Sequence, residues 1–235
     1  MATYCMSDIH GNYEGYQKLL EKIHFSDLDV LYVLGDVVDR GKASMKVLQD
    51  MMMRENVIPL IGNHEYMALQ CLEFLMSEIT VENIMKCNES LLEGLLEWLA
   101  VGGQSTIDEF QQLSYEERID IIEYLKEFLL YEEVEVNSKD YILVHAGLSH
   151  FSISRDLSDY DLYEMIFEKP DYSKIYFEDR YLVTGHTPTR LIENHEAKDC
   201  VYMKNNHIAI DCGSGYGGRL GVICLDNHKV YYAYE

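Results

Sequence analysis

Two hydrophobic rhythms alternate along the N-terminal part of the chain. Apolar runs at residues 2–6, 30–34 and 57–61 have the length of buried strands. Between them, Tyr13, Tyr16, Leu19, Leu20 and Ile23 recur at helical spacing, which predicts a helix over residues 13–23; residues 44–54 predict a second. Strand, helix, strand, helix, strand predicts a parallel sheet with helices on its faces. From Glu65 to about Glu133 the rhythm changes. Leu, Met, Glu and Tyr dominate, and strand-like runs disappear. Residues 91–101 and 115–131 read as amphipathic helices, with Gly102 and Gly103 breaking the chain between them. About residues 66–133 therefore form a helical insertion, whose apolar stripes are core surface rather than a cofactor box. Strand runs return at 141–144 and 181–184, then at 200–204, 208–211, 220–225 and 229–234. Asp226-Asn227 is a turn signal and predicts a β-hairpin from the last two. An antiparallel second sheet would pack on the first, which makes the fold class α/β.

Composition narrows this picture. A length of 235 residues with 48% hydrophobic suits one domain spanning 1–235 with a sizeable core. Pro is scarce and 26% of residues are charged, so the chain is not of the disordered class. Forty-one acidic residues against nineteen basic ones leave a net charge of −22. Such a surface repels nucleic acid and anionic membrane, because both need clustered Lys and Arg. The six cysteines are scattered without a CxxC pair, and several sit in apolar runs as small hydrophobes. No apolar stretch reaches membrane-spanning length and no secretory leader precedes the first strand, so the expected compartment is a reducing cytoplasm.

Chemistry enters through five short motifs: Asp8-Ile9-His10-Gly11, Gly35-Asp36-Val37-Val38-Asp39-Arg40-Gly41, Gly62-Asn63-His64-Glu65, His145-Ala146-Gly147 and Gly185-His186-Thr187. Each follows a strand-like run. Alone, an Asp-x-His pair is a polar turn and a His after a strand is a satisfied core histidine. Together, at strand C-terminal ends, they converge on one crevice of an α/β sheet. Asp8, His10, Asp36, Asn63, His145 and His186 offer oxygen and nitrogen without thiolate, a donor set that suits Mn²⁺, Fe or Zn²⁺. Two divalent ions about 3.5–4 Å apart can bind both oxygens of a phosphoester displacement. Asp36 is central in the set and can bridge them. His64, oriented by a carboxylate such as Asp39, can protonate a leaving group. Arg40 offers a planar fork for phosphate oxygens. Gly213–Gly218 matches no phosphate-cradling pattern and reads as a tight loop over the site.

These motifs resemble those of the calcineurin-like metallophosphoesterases, in their phosphoprotein phosphatase branch. Only Ser7 departs, standing where the first motif has Gly. Trp98-Leu99-Ala100-Val101-Gly102-Gly103, Ile210-Asp211-Cys212-Gly213 and Gly217-Gly218-Arg219-Leu220 are similar to segments of small prokaryotic members. The resemblance implies a four-layer α/β/β/α sandwich of two mixed sheets. It implies one metal on Asp8, His10 and Asp36, with Asp36 bridging to a second held by Asn63, His145 and His186. His64 with Asp39 would be the general acid, Arg40 would bind phosphate, and a metal-bridging hydroxide would attack phosphorus directly. Two departures bear on substrate. Lys42 and Ala43 stand where Pro and a polar residue are usual. The Trp-x-Arg that follows the His-Ala-Gly motif in small members is replaced by residues 161–168, leaving Arg155, Arg180 and Arg219 as substitutes.

The expected function is a phosphatase for phosphoserine or phosphothreonine in proteins, or for small monoesters. The alternative is a hydrolase of dinucleoside polyphosphates such as diadenosine tetraphosphate. A non-catalytic interaction module on the same fold would have eroded ligands, and all six are intact here.

Overall fold

The computed structural model describes residues 1–76 and 89–234, and all structural statements concern these. The expected N-terminal rhythm is present: β1 (Thr3–Met6), α1 (Tyr13–Lys22), β2 (Val30–Leu34), α2 (Ser44–Met52), β3 (Val57–Leu60). β1 pairs in parallel with β2, and β2 with β3. Alternation along these strands decides what each face meets. Cys5, Leu34 and Leu60 point to one side, Tyr4, Met6, Leu31 and Val33 to the other, where Tyr16, Leu19, Met45 and Leu48 of the two helices cover them.

The helices that follow are α3 (Asn63–Met76), α4 (Glu89–Ala100), α5 (Gln104–Phe110) and α6 (Tyr115–Lys126). They pack on one another and on α2. Gly102 and Gly103 do break the chain, but the segment after them is a short helix rather than a connector. Part of the expected insertion, residues 77–88, lies outside the described residues. Its far boundary is earlier than the composition implied. Leu129 bridges to Leu60 at the edge of the first sheet, and Tyr131–Val136 is already a strand, β4. The reason is physical. Val134 and Val136 face the core between the sheets while Glu133 and Glu135 point away from it, as on a charge-protected edge strand.

β5 (Lys139–Val144), β6 (Arg180–Thr184), β7 (Tyr202–Lys204) and β8 (His207–Ala209) complete a second sheet in the order β4-β5-β6-β8-β7. It is mixed rather than antiparallel, because β5, β6 and β8 run parallel. The C-terminal hairpin forms as expected, from β9 (Arg219–Cys224) and β10 (Val230–Tyr234), but it joins the first sheet beside β1. The first sheet is therefore β10-β9-β1-β2-β3 and is mixed as well. Between the sheets lie Cys5, Leu34, Leu60 and Ile223 from one and Tyr141, Leu143, Val183 and Ile208 from the other. Beyond the second sheet the helical layer is thin. A five-residue helix, α7 (Leu162–Ile166), occupies the stretch where the family resemblance predicted Trp-x-Arg.

Candidate active site

The C-terminal ends of β1, β2, β3, β5 and β6 meet at one edge of the sandwich, and every motif sits there. The backbone is contorted to achieve this. Asp8, His10, Asp36, Asp39, Arg40 and His186 all have positive φ, between +48° and +73°. Non-glycine residues seldom adopt that region, and such outliers cluster where surrounding structure over-determines them. Glu65 is one source of that over-determination. Its buried carboxylate accepts the backbone N–H groups of Asp36, Val37, Val38 and Gly62 at 2.7–3.1 Å, tying two motif loops together. Gly62 itself allows the closest approach: a Cβ there would lie 2.3 Å from Asp36 Oδ1.

The expected ligands come together. His10, Asp36 and His64 form one group, and Asp36, His145 and His186 another, the ligand atoms of each within 4.8 Å of one another. Asp36 belongs to both, with His10 Nε2 at 3.7 Å and His145 Nε2 at 3.3 Å. Asn63 Oδ1 sits between His145 Nε2 (3.1 Å) and His186 Nδ1 (2.9 Å). Asp8 Oδ2 accepts from the Ser7 hydroxyl and from the His186 backbone, while its buried Oδ1 has no partner among the described residues. His10 and His145 use Nδ1 on the carbonyls of Val38 (2.8 Å) and Leu34 (2.6 Å), which leaves each Nε2 lone pair facing the cluster. His64 lies within the His10 group at that distance, and Asp8 lies beside it.

Electrostatics favour cations here. Burial, and then the Asp211 charge, push the Asp8 carboxyl well above its ordinary range; burial, Asp8 and Glu65 do the same to Asp36. Burial pulls His10, His64 and His145 well below the imidazole range, and His186 down to about 4, so the imidazoles are neutral donors at neutral pH. Carboxylates held together against their own repulsion, an orphaned Asp8 oxygen and converging neutral imidazoles fit divalent metal ions. A side-chain cation already lies among them. The Arg40 guanidinium bonds His10 Nε2 at 2.6 Å and His64 Nε2 at 2.8 Å.

His64 and Asp39 pair as expected, with Nδ1 donating to Oδ2 at 2.6 Å. The two partners of Asp39 that escaped sequence reasoning are Trp98 and Thr106. Trp98 Nε1–H donates to Oδ2 at 2.7 Å and Thr106 Oγ1–H to Oδ1 at 2.5 Å, both from fully buried side chains of the inserted helices. Burial nevertheless keeps the Asp39 carboxyl up at about 6. The same segment holds Arg40, whose N–H and Nε–H donate to the carbonyls of Gly102 and Val101. The Trp98–Gly103 segment was legible as a resemblance, but its contacts were not.

A pocket of about 470 Å³ opens over the cluster, and Arg40, Lys169, Arg190, Leu191 and Tyr216 are on its walls. The 213–218 loop does close over the site: Tyr216 lies 4.3 Å from the Arg40 guanidinium, and a Cβ on Gly215 would touch His10. Arg155, Arg180 and Arg219 are elsewhere. Arg155 is clamped by Glu164 and stacked on Tyr160, Arg180 pairs with Glu133, and Arg219 lies against Cys200 and Tyr234. The second arginine at the site is Arg190, held by Asp199 and lying under Gly213 and Gly218. Only its place four residues after His186 could have flagged it.

Comparison with known proteins places the chain in a family. A symmetrical bis(5'-nucleosyl)-tetraphosphatase of Buchnera aphidicola is 32% identical over 153 residues, 63% of this chain and 45% of that protein. Its namesake in Haemophilus ducreyi is 27% identical over 197 residues, 83% of this chain and 62% of that protein. The chain thus spans about half to three-fifths of the length of these relatives. Among solved structures, a candidate diadenosine tetraphosphatase superposes with a TM-score of 0.68 at 18% identity, covering 99% of this chain and 92% of that one. A protein serine/threonine phosphatase from Saccharomyces cerevisiae gives 0.61 at 16%, covering 100% and 80%. At such identities these two show a shared fold. The sequence profile of the calcineurin-like phosphoesterases matches residues 1–213, and the chain belongs to that family.

Proposed function

We propose that the chain is a metal-dependent hydrolase whose preferred substrate is a dinucleoside polyphosphate rather than a phosphoprotein. One observation carries this. Three cationic side chains, Arg40, Lys169 and Arg190, ring the pocket over the Asp36 cluster of a chain with only nineteen Lys and Arg in all. A monoester needs one such fork beside its metals, whereas a polyphosphate gives several a partner. The relatives named as bis(5'-nucleosyl)-tetraphosphatases support the same choice.

In this reading Asp8, His10 and Asp36 hold one ion, and Asp36, Asn63, His145 and His186 the other. Bound there, the ions supply Lewis acidity and a nucleophilic water at neutral pH. The protein's own part is positioning. Glu65 holds the Asp36 loop, and the Val38 and Leu34 carbonyls fix His10 and His145 as Nε2 ligands. Arg40 binds the attacked phosphoryl group. His64, with Nδ1–H committed to Asp39, turns Nε2 to the cluster as a neutral acceptor; it would have to take up a proton there, which a bound polyanion favours, before giving one to the leaving oxygen.

The test is a panel of p-nitrophenyl phosphate, a phosphothreonine peptide and diadenosine tetraphosphate, with the protein loaded with Mn²⁺, Fe or Zn²⁺ in turn. The dinucleotide should show the highest kcat/KM and release ADP. A peptide that matches or exceeds it would reverse the choice of substrate. No turnover of any of the three with any of the metals would remove the hydrolase reading altogether.

A further inference from the structure

The pocket over the Asp36 cluster is not closed at its outer end. Lys169 and Leu191 stand on its wall and also on the wall of a second cavity, of about 480 Å³. Away from that junction the lining of the second cavity includes Tyr172, Tyr202, Ile192 and Thr187 beside the charged Asp171 and Glu193. Tyr172, Tyr202 and Ile192 belong, with Ala209, to a small apolar cluster separate from both main cores. We infer that this cavity is a nucleoside subsite: it takes the base and ribose at one end of a nucleoside polyphosphate whose phosphates run past Lys169 and Arg190 to the Asp36 cluster. The assignment rests on the hydrolase reading above for its direction, phosphates inward and nucleoside outward.

Two features fit such a ligand. The first is order: a metal-binding cluster, then Arg190 and Lys169, then an aromatic chamber, matching the sequence of chemistries along a nucleoside polyphosphate. The second is rigidity. The Tyr172 ring is stacked on His207 at 4.9 Å and 19°, and Tyr202 meets it edge-on at 5.6 Å. The Tyr202 hydroxyl and the Asn205 amide both donate to the Tyr172 carbonyl, so the wall is held before any ligand arrives. Aromatic contact with a base is sequence-tolerant, so the chamber selects a nucleoside and not one particular base.

The experiment compares two ligands that cannot be cleaved at the bridging carbon: α,β-methylene-ADP, and methylenediphosphonate as the same head without the nucleoside. Binding is measured by calorimetry on the manganese-loaded full chain. The nucleotide should bind at least about tenfold tighter, the range aromatic stacking supplies. Leu191→Glu puts charge and bulk at the junction of the two cavities, on a side chain that is 61% exposed, so folding should survive. It should erase most of the nucleotide's advantage, and Tyr172→Leu should reduce it; thermal melts identify any variant that has merely unfolded. Equal affinities of the two ligands for the wild type would overturn the subsite. So would a nucleotide advantage that a folded Leu191→Glu protein retains in full. If binding follows the expected pattern while diadenosine tetraphosphate survives incubation with the enzyme, the substrate reading fails and the nucleotide site stands.

Discussion

The two halves of the site are built by different means. The inner half, at the strand ends, is buried, strained and braced by hydrogen bonds: six residues at positive φ, four backbone N–H groups on Glu65 and three donors on Asp39. The outer half, residues 169–176 and 189–202 on either side of β6, is largely irregular chain, with Lys169 and Leu191 exposed and Arg190 partly so. The inner half can carry strain because two sheets and four helices brace it. The outer half has mainly local clamps, such as Asp199 on Arg190. The difference suits their tasks, since geometry decides the chemical step while reach and charge decide which phosphate compound arrives.

The inner half should break hardest at Asp36. Asp36→Asn removes the one carboxylate common to both ligand groups. Metal analysis of manganese-loaded wild type should give about two ions per chain, and the variant clearly fewer. Activity should fall by roughly 10³-fold or more, since metal charge stabilisation is worth several kcal/mol. Folding should not suffer in parallel. Burial and neighbouring carboxylates already disfavour ionised Asp36, so a neutral isostere relieves a cost in the metal-free protein. A metal-free melting temperature that drops steeply with Asp36→Asn would contradict this account of the cluster.

His64 comes next. His64→Asn should lower kcat by about 10²–10⁴-fold on an alkyl phosphate such as a phosphothreonine peptide. The loss should shrink on p-nitrophenyl phosphate and on diadenosine tetraphosphate, whose leaving groups depart as stable anions. His64 also belongs to the His10 group, so a competing outcome is defined: equal losses on every substrate, together with lost metal, would make it a ligand.

These two experiments concern residues that were legible in the sequence, and the reason is local. A strand end that turns sharply needs Gly, Asp or His at fixed offsets, so Gly35, Asp36, Gly62 and Asn63 carry their geometry in adjacent letters. The parallel β1-α1-β2-α2-β3 unit was legible for the same reason, each hydrophobic run matching one element. What failed was non-local. The hairpin at Asp226-Asn227 was visible, but which sheet it joins depends on Ile223 pairing beside Cys5 of β1 and Leu225 meeting Tyr141 across the sandwich. β4 was hidden because a half-charged edge strand resembles the acidic helices before it. Arg190 was missed because nothing within its own segment says that it lies under Gly213 and Gly218.

The inserted helices offer a sharper test of where the inner half ends. Trp98→Phe keeps the buried ring and removes only the N–H on Asp39. A hydrogen bond to a charged group is worth about 1.5–3 kcal/mol, which caps the effect at roughly 10- to 150-fold. We expect about a tenfold loss of kcat on an alkyl phosphate with KM little changed, and a smaller loss on p-nitrophenyl phosphate. That split marks Trp98 as a positioning residue acting through Asp39 and His64. A uniform loss across leaving groups would mark it as packing alone.

The smallest effect belongs to the outer half, and it decides which arginine serves the phosphates. Arg190→Met keeps the aliphatic stem and removes the fork. Because Arg190 is partly exposed and already paired with Asp199, its full charge-assisted value is screened. KM for diadenosine tetraphosphate should rise by about three- to tenfold, less than a fully buried pair would give. The change for p-nitrophenyl phosphate should be smaller, since one phosphate can be served by Arg40 alone. Arg155→Met is the contrast. Its guanidinium is spent on Glu164, whose carboxyl it holds down at about 2, and it should alter neither KM while loosening the α7 segment. If Arg155→Met raises KM and Arg190→Met does not, the outer half extends toward α7, and the boundary drawn between the two halves is in the wrong place.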